Sequence, residues 1–221
     1  MPTEMKEPDF SKVFKTIAEI FSECDLSSFP IELGKISEHY SNLFKIRTFS
    51  DLEKSHYRRW LKRVSGDTIS DGIGTEDGFT IKDTVDDINN LVFINEKKPV
   101  ARQRFTLAHE LGHIFMDHLY GTNCTLLLNS DYSEDGEHAA LENEANAFAR
   151  NLLTPAKAVL DVFDKNGIRP ILRNGFKIYK SQDNPLLSPA DVVSRVFGIS
   201  KQAAQIRINC LDFDLYMREI N

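Results

Sequence analysis

The sequence predicts an α+β fold, a small antiparallel sheet packed on helices. Three observations carry that expectation. Apolar residues recur at helical spacing in several long segments, and short runs rich in β-branched and aromatic residues fall between them. Stretches of Gly, Ser, Asp and Pro separate the two kinds. With 221 residues, 41% of them hydrophobic and 27% charged, the chain can bury one sizeable core.

Residues 1–10 read as a flexible tail. From Ser11 to Cys24 the residues Val13, Phe14, Ile17, Ile20 and Phe21 lie on one helical face. A second helix is expected from Pro30 to His39 or Tyr40, where an early proline lacks only an N–H that has no partner anyway. Leu43–Thr48 alternates like a strand. Ser50-Asp51-Leu52-Glu53 has a capping-box pattern and opens a helix to Val64, with Tyr57 and Trp60 packed into the core. Residues 65–78 form a polar loop, followed by strands near Phe79–Lys82 and Leu91–Asn95. The second of these either completes the sheet or forms its edge beside a cleft, where an extended peptide can add as a further strand.

Two strong helices follow, Arg102–Leu119 and Gly136–Leu153, the second ended by Pro155. The remainder is mostly helical, with a short strand at Phe176–Tyr179. Ser188-Pro189 opens a helix that Gly198 closes, and Ser200 caps another reaching Phe213. The chain therefore divides into a tail (1–10), a core unit (11–155) and a helical extension packed on it (156–221).

Several function classes are disfavoured. A net charge of −6 gives the whole protein no electrostatic reason to seek nucleic acid or an anionic membrane. Ala190–Leu211 has a helix-turn-helix look, but Asp191, Arg195, Lys201 and Arg207 make it only modestly basic, so direct nucleic-acid binding is not expected. No apolar run is long enough for a membrane span. The acidic opening MPTEMKEPDF is unlike a signal peptide, and Cys24, Cys124 and Cys210 lack the pairing of a disulfide framework. A cytoplasmic protein with reduced thiols is expected.

His109-Glu110-Leu111-Gly112-His113 places two imidazoles four residues apart on a helix, where both can reach one Zn²⁺. Zinc lowers the pKa of a water toward neutrality, and Glu110 between the ligands is placed to take its proton. The plain alternative is a pair of surface histidines. Phe105, Leu107, Ala108, Leu111, Ile114 and Phe115 count against it, because a helix this apolar belongs in a core, where histidines need partners. A catalytic site wants a third protein ligand. Helical angles leave Glu142, Glu144 and His138 as candidates: His138, Glu142 and Asn146 share a polar stripe, whereas Glu144 reads as a solvated charge. His118, five residues beyond His113, should point away from the ligand face. Tyr120, Arg102 and Arg104 are open candidates for stabilising an oxyanion.

The run FINEKKPVARQRFTLAHELGHIFMDH followed by ENEANAFARNLLTP strongly resembles the ImmA/IrrE family of metallo-endopeptidases. The likeness is densest over 91–155 and weaker over 13–50. The resemblance implies a gluzincin-like peptidase core with one catalytic zinc held by His109, His113 and Glu142, with Asn146 beside the site and Glu110 as general base, then acid. It also implies a narrow protein substrate: a helix-turn-helix repressor, often of a prophage or integrative element. The rival expectation is a non-hydrolytic regulator that keeps the fold and acts by binding protein or DNA. It has no chemical need for Glu110.

Overall fold

The structure is a computed structural model describing residues 7–52, 77–82, 90–118, 126–127, 137–174 and 176–219. Helix α1 (Phe10–Glu23) starts where the Asp9 side chain accepts the Lys12 N–H, and it buries Val13, Ile17 and Ile20. The short helix α2 (Leu33–His39) leads to strand β1 (Phe44–Thr48). The expected third helix begins as a single turn, α3 (Phe49–Leu52); the rest of it, with Tyr57 and Trp60, lies outside the described residues. Strands β2 (Gly78–Lys82) and β3 (Asn90–Ile94) follow, then helix α4 (Val100–Phe115). After the two-residue strand β4 (Leu126–Leu127) come helices α5 (Glu137–Leu153) and α6 (Ala156–Lys165).

The α+β class holds, and the sheet order is β1-β3-β2-β4. The β2–β3 and β2–β4 pairings are antiparallel, as expected, but β1 runs parallel to β3. Residues 49–89 separate those two strands in sequence, long enough for the crossover that a parallel pair needs. The edge reading of Leu91–Asn95 fails. β3 lies between β1 and β2 and is buried along its whole length, as its nearly unbroken apolar run Leu91-Val92-Phe93-Ile94 accords with. Alternate residues serve its two faces. Val92 and Ile94 join the main core, while Leu91 and Phe93 pack with Leu52, Phe79 and Ile81 in a smaller cluster.

Helices make up most of 156–221, with one pair of strands among them. Strands β5 (Ile168–Arg173) and β6 (Phe176–Ser181) form an antiparallel hairpin, of which only part of β6 was foreseen. Most of β5 is exposed and it contains Pro170, so it lacks the apolar alternation by which a strand is recognised. Helix α7 (Pro189–Phe197) ends at Gly198 with φ +64°, and helix α8 (Lys201–Asn209) starts where Ser200 Oγ accepts the Ala203 N–H. The last expected helix breaks at Cys210, and α9 (Leu211–Glu219) begins there.

One apolar cluster joins both parts of the chain: Val13 and Ile17 of α1, Leu111 and Ile114 of α4, Phe148 and Leu152 of α5, with Phe163, Phe197 and Leu211. Its centre is the contact between α4 and α5. Gly112 makes that contact close, since a Cβ there would lie 3.0 Å from Ala145 Cα and 3.2 Å from Phe148 Cβ. Phe115 stacks on Phe148 at 5.8 Å one turn further along.

Candidate metal centre

The spacing of His109 and His113 sets both imidazoles on one face of α4, and the Gly112 contact brings α5 near enough for Glu142 to meet them. The two Nε2 atoms lie 3.1 Å apart. Glu142 Oε2 is 3.3 Å from His109 Nε2, and Oε1 is 3.0 Å from His113 Nε2. Among the described residues, these three form a group able to hold a metal ion, with ligand atoms within 4.8 Å of one another.

The outer nitrogens explain why the Nε2 atoms are the ones that meet. His109 Nδ1 lies 3.2 Å from Asn146 Oδ1, one turn beyond Glu142 on α5. His113 Nδ1 lies 2.8 Å from His118 Nδ1. A neutral imidazole whose one N–H donates a hydrogen bond to an outer partner presents a bare lone pair at its other nitrogen. Two such lone pairs and a carboxylate then converge with too few protons to share. Glu142 Oε1 is buried and has no well-directed hydrogen bond among the described residues. The chemistry of this donor set fits a divalent cation such as zinc, bound by two imidazoles and a carboxylate.

The electrostatics follow from burial and close partners. Burial raises the Glu142 carboxyl, but the close approach of His109 and His113 outweighs it and holds the pKa far below the usual range. Burial pushes His113 down to about 4 against the pull of Glu142. For His109 burial acts downward, and the neighbouring Glu142 and Glu110 more than compensate, leaving it raised. Burial lifts Glu110 to about 7, with His109 and the Thr80 hydroxyl opposing. Glu110 lies between α4 and the sheet, 1% exposed, and its Oε2 accepts a hydrogen bond from Thr80 Oγ1 at 2.7 Å.

Two residues read from sequence as bystanders belong to the centre's surroundings. His118 does not point away, because α4 stops at Phe115 and not near Leu119. Asp117 takes a left-handed φ of +62°, the Asp117 N–H bonds Ile114 O, and the His118 N–H bonds His113 O at 3.0 Å. That Schellman turn folds His118 back against His113. Glu144 is no solvated charge: it is 4% exposed, with Oε2 2.7 Å from His118 Nε2 and Oε1 accepting the Asp9 N–H at 2.7 Å. Nothing local in the sequence marks this contact, since α1 supplies the cover.

Of the three candidates for an oxyanion partner, Tyr120 lies outside the described residues, as does the His138 side chain. Arg104 turns to the other side of α4 and donates to Ile31 O at 2.9 Å. Arg102 borders the cleft at the centre but is held by Asp77, with Nε 2.6 Å from Oδ2. That cleft, about 520 Å³, runs from His109, Glu142 and Asn146 between α4 and α5 to Ile199, just before α8, and to Ala203 and Ile206 of α8. Arg207 is buried beneath it, donating to Thr154 O at 2.7 Å and pairing with Asp214, which also takes two hydrogen bonds from Arg150. A family model described as Peptidase_M78, IrrE N-terminal-like domain, matches residues 68–209. No curated protein matches the chain.

Proposed function

The chain belongs to the Peptidase_M78 family, and from that premise we propose that it is a zinc-dependent endopeptidase that cleaves a helix-turn-helix repressor at one site. The observation that carries this reading is the meeting of His109 Nε2, His113 Nε2 and the Glu142 carboxylate beside the buried Glu110. The ion, when bound, supplies Lewis acidity, lowering the pKa of a water and polarising the scissile carbonyl. Glu110 takes the water's proton and passes it to the departing amine nitrogen. The Thr80 hydroxyl occupies Oε2 of Glu110, which leaves Oε1 to carry that proton. A carboxyl whose pKa burial lifts to about 7 both accepts and releases a proton near neutral pH.

His109 and His113 would hold the ion as neutral donors, and Glu142 would offset part of its charge. The cleft between α4 and α5 has room for an extended peptide, with the helices after residue 156 as its far wall. In this reading 11–155 is the peptidase core and 156–221 an extension completing the cleft. The repressor as substrate rests on family likeness alone. A cytoplasmic location accords with it. Among the described residues no helix is long and apolar enough to cross a membrane, and Cys24 and Cys210 are free thiols.

The test pairs metal content with cleavage of the repressor encoded nearest to the gene, using wild type and Glu110→Gln. Stoichiometric zinc in both proteins with cleavage by wild type alone is expected. Zinc-loaded wild type that binds the repressor without cutting it would replace the enzyme by the non-hydrolytic regulator.

A further inference from the structure

We propose that His118 and Glu144 are positioning residues that set the proton on His113 and so aim its Nε2 at the metal. The inference rests on the metal reading above and adds what holds the site from behind. Direction follows from what each atom can do. Glu144 as carboxylate only accepts, so at 2.7 Å the proton must be on His118 Nε2. His118 Nδ1 is then a bare acceptor and, at 2.8 Å, accepts a hydrogen bond from the His113 Nδ1–H. His113 Nε2 is left with its lone pair, 3.0 Å from Glu142 Oε1 and 3.1 Å from His109 Nε2. The other oxygen of Glu144 is fixed by the Asp9 backbone N–H at 2.7 Å. Every link is satisfied, and each of His113, His118 and Glu144 is at most 5% exposed.

The N-terminal helix closes this arrangement. Lys12 of α1 donates to Met116 O and pairs with Asp117, both at 3.1 Å, which holds the turn that folds His118 back. Asp9, just before α1, fixes Glu144 on α5. Docking of α1 and binding of metal at His113 are therefore linked, and each favours the other. His109 has a simpler support, the contact of its Nδ1 with Asn146 Oδ1. Partners of this kind fix the tautomer and ring orientation of a metal-binding histidine, and losing one costs about 10–100-fold in metal affinity.

The experiment measures zinc affinity by chelator competition in the full chain for wild type, His118→Phe, His118→Asn and Glu144→Gln. The His113 tautomer of the metal-free proteins is read by ¹⁵N NMR. His118→Phe keeps a ring but removes the acceptor, and should weaken zinc by about 10–100-fold. His118→Asn returns an acceptor oxygen near the same place and should recover most of that loss. Glu144→Gln should weaken zinc with the fold intact by circular dichroism. In wild type the His113 proton should sit on Nδ1. Should His118→Phe fail to fold, Glu144→Gln and the wild-type tautomer still decide. Wild type without zinc affinity removes the metal reading itself. Wild type that binds zinc while folded variants bind within threefold of it, no recovery in His118→Asn, or a proton on Nε2 of His113 would each overturn the positioning role alone.

Discussion

Glu142 and Glu144 are chemically the same and two residues apart on α5, yet their surroundings separate them. Glu142 faces α4 and meets two imidazoles, whereas Glu144 faces α1 and meets His118 and the Asp9 N–H. On the proposed reading, Glu142→Gln removes a charged ligand and should cost more zinc affinity than the about 10–100-fold expected for Asn146→Ala, which removes only the partner of His109 Nδ1. Chelator competition ranks the two, and equal or reversed losses would displace Glu142 as the ligand. At the same scale, Glu110 shows how one short motif yields two kinds of group. Its neighbours His109 and His113 turn toward α5, while its own side chain turns under the sheet to Thr80 and stays buried.

At the scale of elements, the centre depends on how closely α4 approaches α5 and how α4 is tied to the sheet. An alanine at Gly112 would gain about 1 kcal/mol of helix propensity. Its Cβ, however, would press on the Ala145 backbone at 3.0 and 3.1 Å, and overpacking of this kind costs about 1–3 kcal/mol. Gly112→Ala should therefore leave stability equal or lower and weaken zinc, because Glu142 rides on the displaced helix. A more stable variant with wild-type zinc affinity, by urea unfolding and competition, would refute the argument. The tie to the sheet is Asp77, whose backbone carbonyl accepts the Asn95 N–H and whose carboxylate pairs with Arg102 and Lys98. Burial acts to raise the Asp77 carboxyl, but those two cations outweigh it and hold the pKa below its ordinary value. The stability this adds is present above the unfolded pKa of about 3.9 and is lost as pH falls through the lower folded value. Asp77→Asn should be less stable by about 1 kcal/mol or less at pH 7, since Arg102 is mostly exposed. The difference should close below about pH 4 in urea titrations across pH.

For the whole molecule, the question is whether the C-terminal helices are an accessory or part of the same folding unit. Arg207 of α8 caps the end of α5 at Thr154 O, reaches Asn151 and pairs with Asp214 of α9. It is 1% exposed, and burial pushes its pKa down to about 10 although Asp214 opposes. Phe213 of α9 packs edge-on against Phe10 of α1. Removing one partner of a buried ion pair leaves the other uncompensated and costs about 3–5 kcal/mol. Arg150 still holds Asp214, so Arg207→Ala is expected at the lower end of that range, as one cooperative transition reported alike by CD and by zinc release. Separate transitions would instead assign 156–221 to a unit folding apart from 11–155.

Much of this protein was legible locally. The spacing of His109 and His113 dictates that they share a helix face, Ser200 marks a helix start, and Gly198 marks a helix end. These features depend on periodicity and on hydrogen bonds within a few residues, which a sequence states directly. The choice between Glu142 and Glu144 was not settled locally: helical angles left both open, and Glu142 was favoured by its polar stripe with His138 and Asn146 and by family likeness. Tertiary structure decided what each carboxylate meets, because α4 covers one edge of α5 and α1 covers the other. His118 was misread for a related reason. The turn at Met116–His118 is held by Lys12, about a hundred residues earlier, and uses an aspartate rather than a glycine in the left-handed position. Strand β3 became central rather than an edge only through its parallel pairing with β1, a contact no short-range pattern encodes. Periodicity and capping are properties of neighbouring residues, whereas cover, and with it the charge state and partners of a buried group, belongs to segments that meet only when the chain has folded.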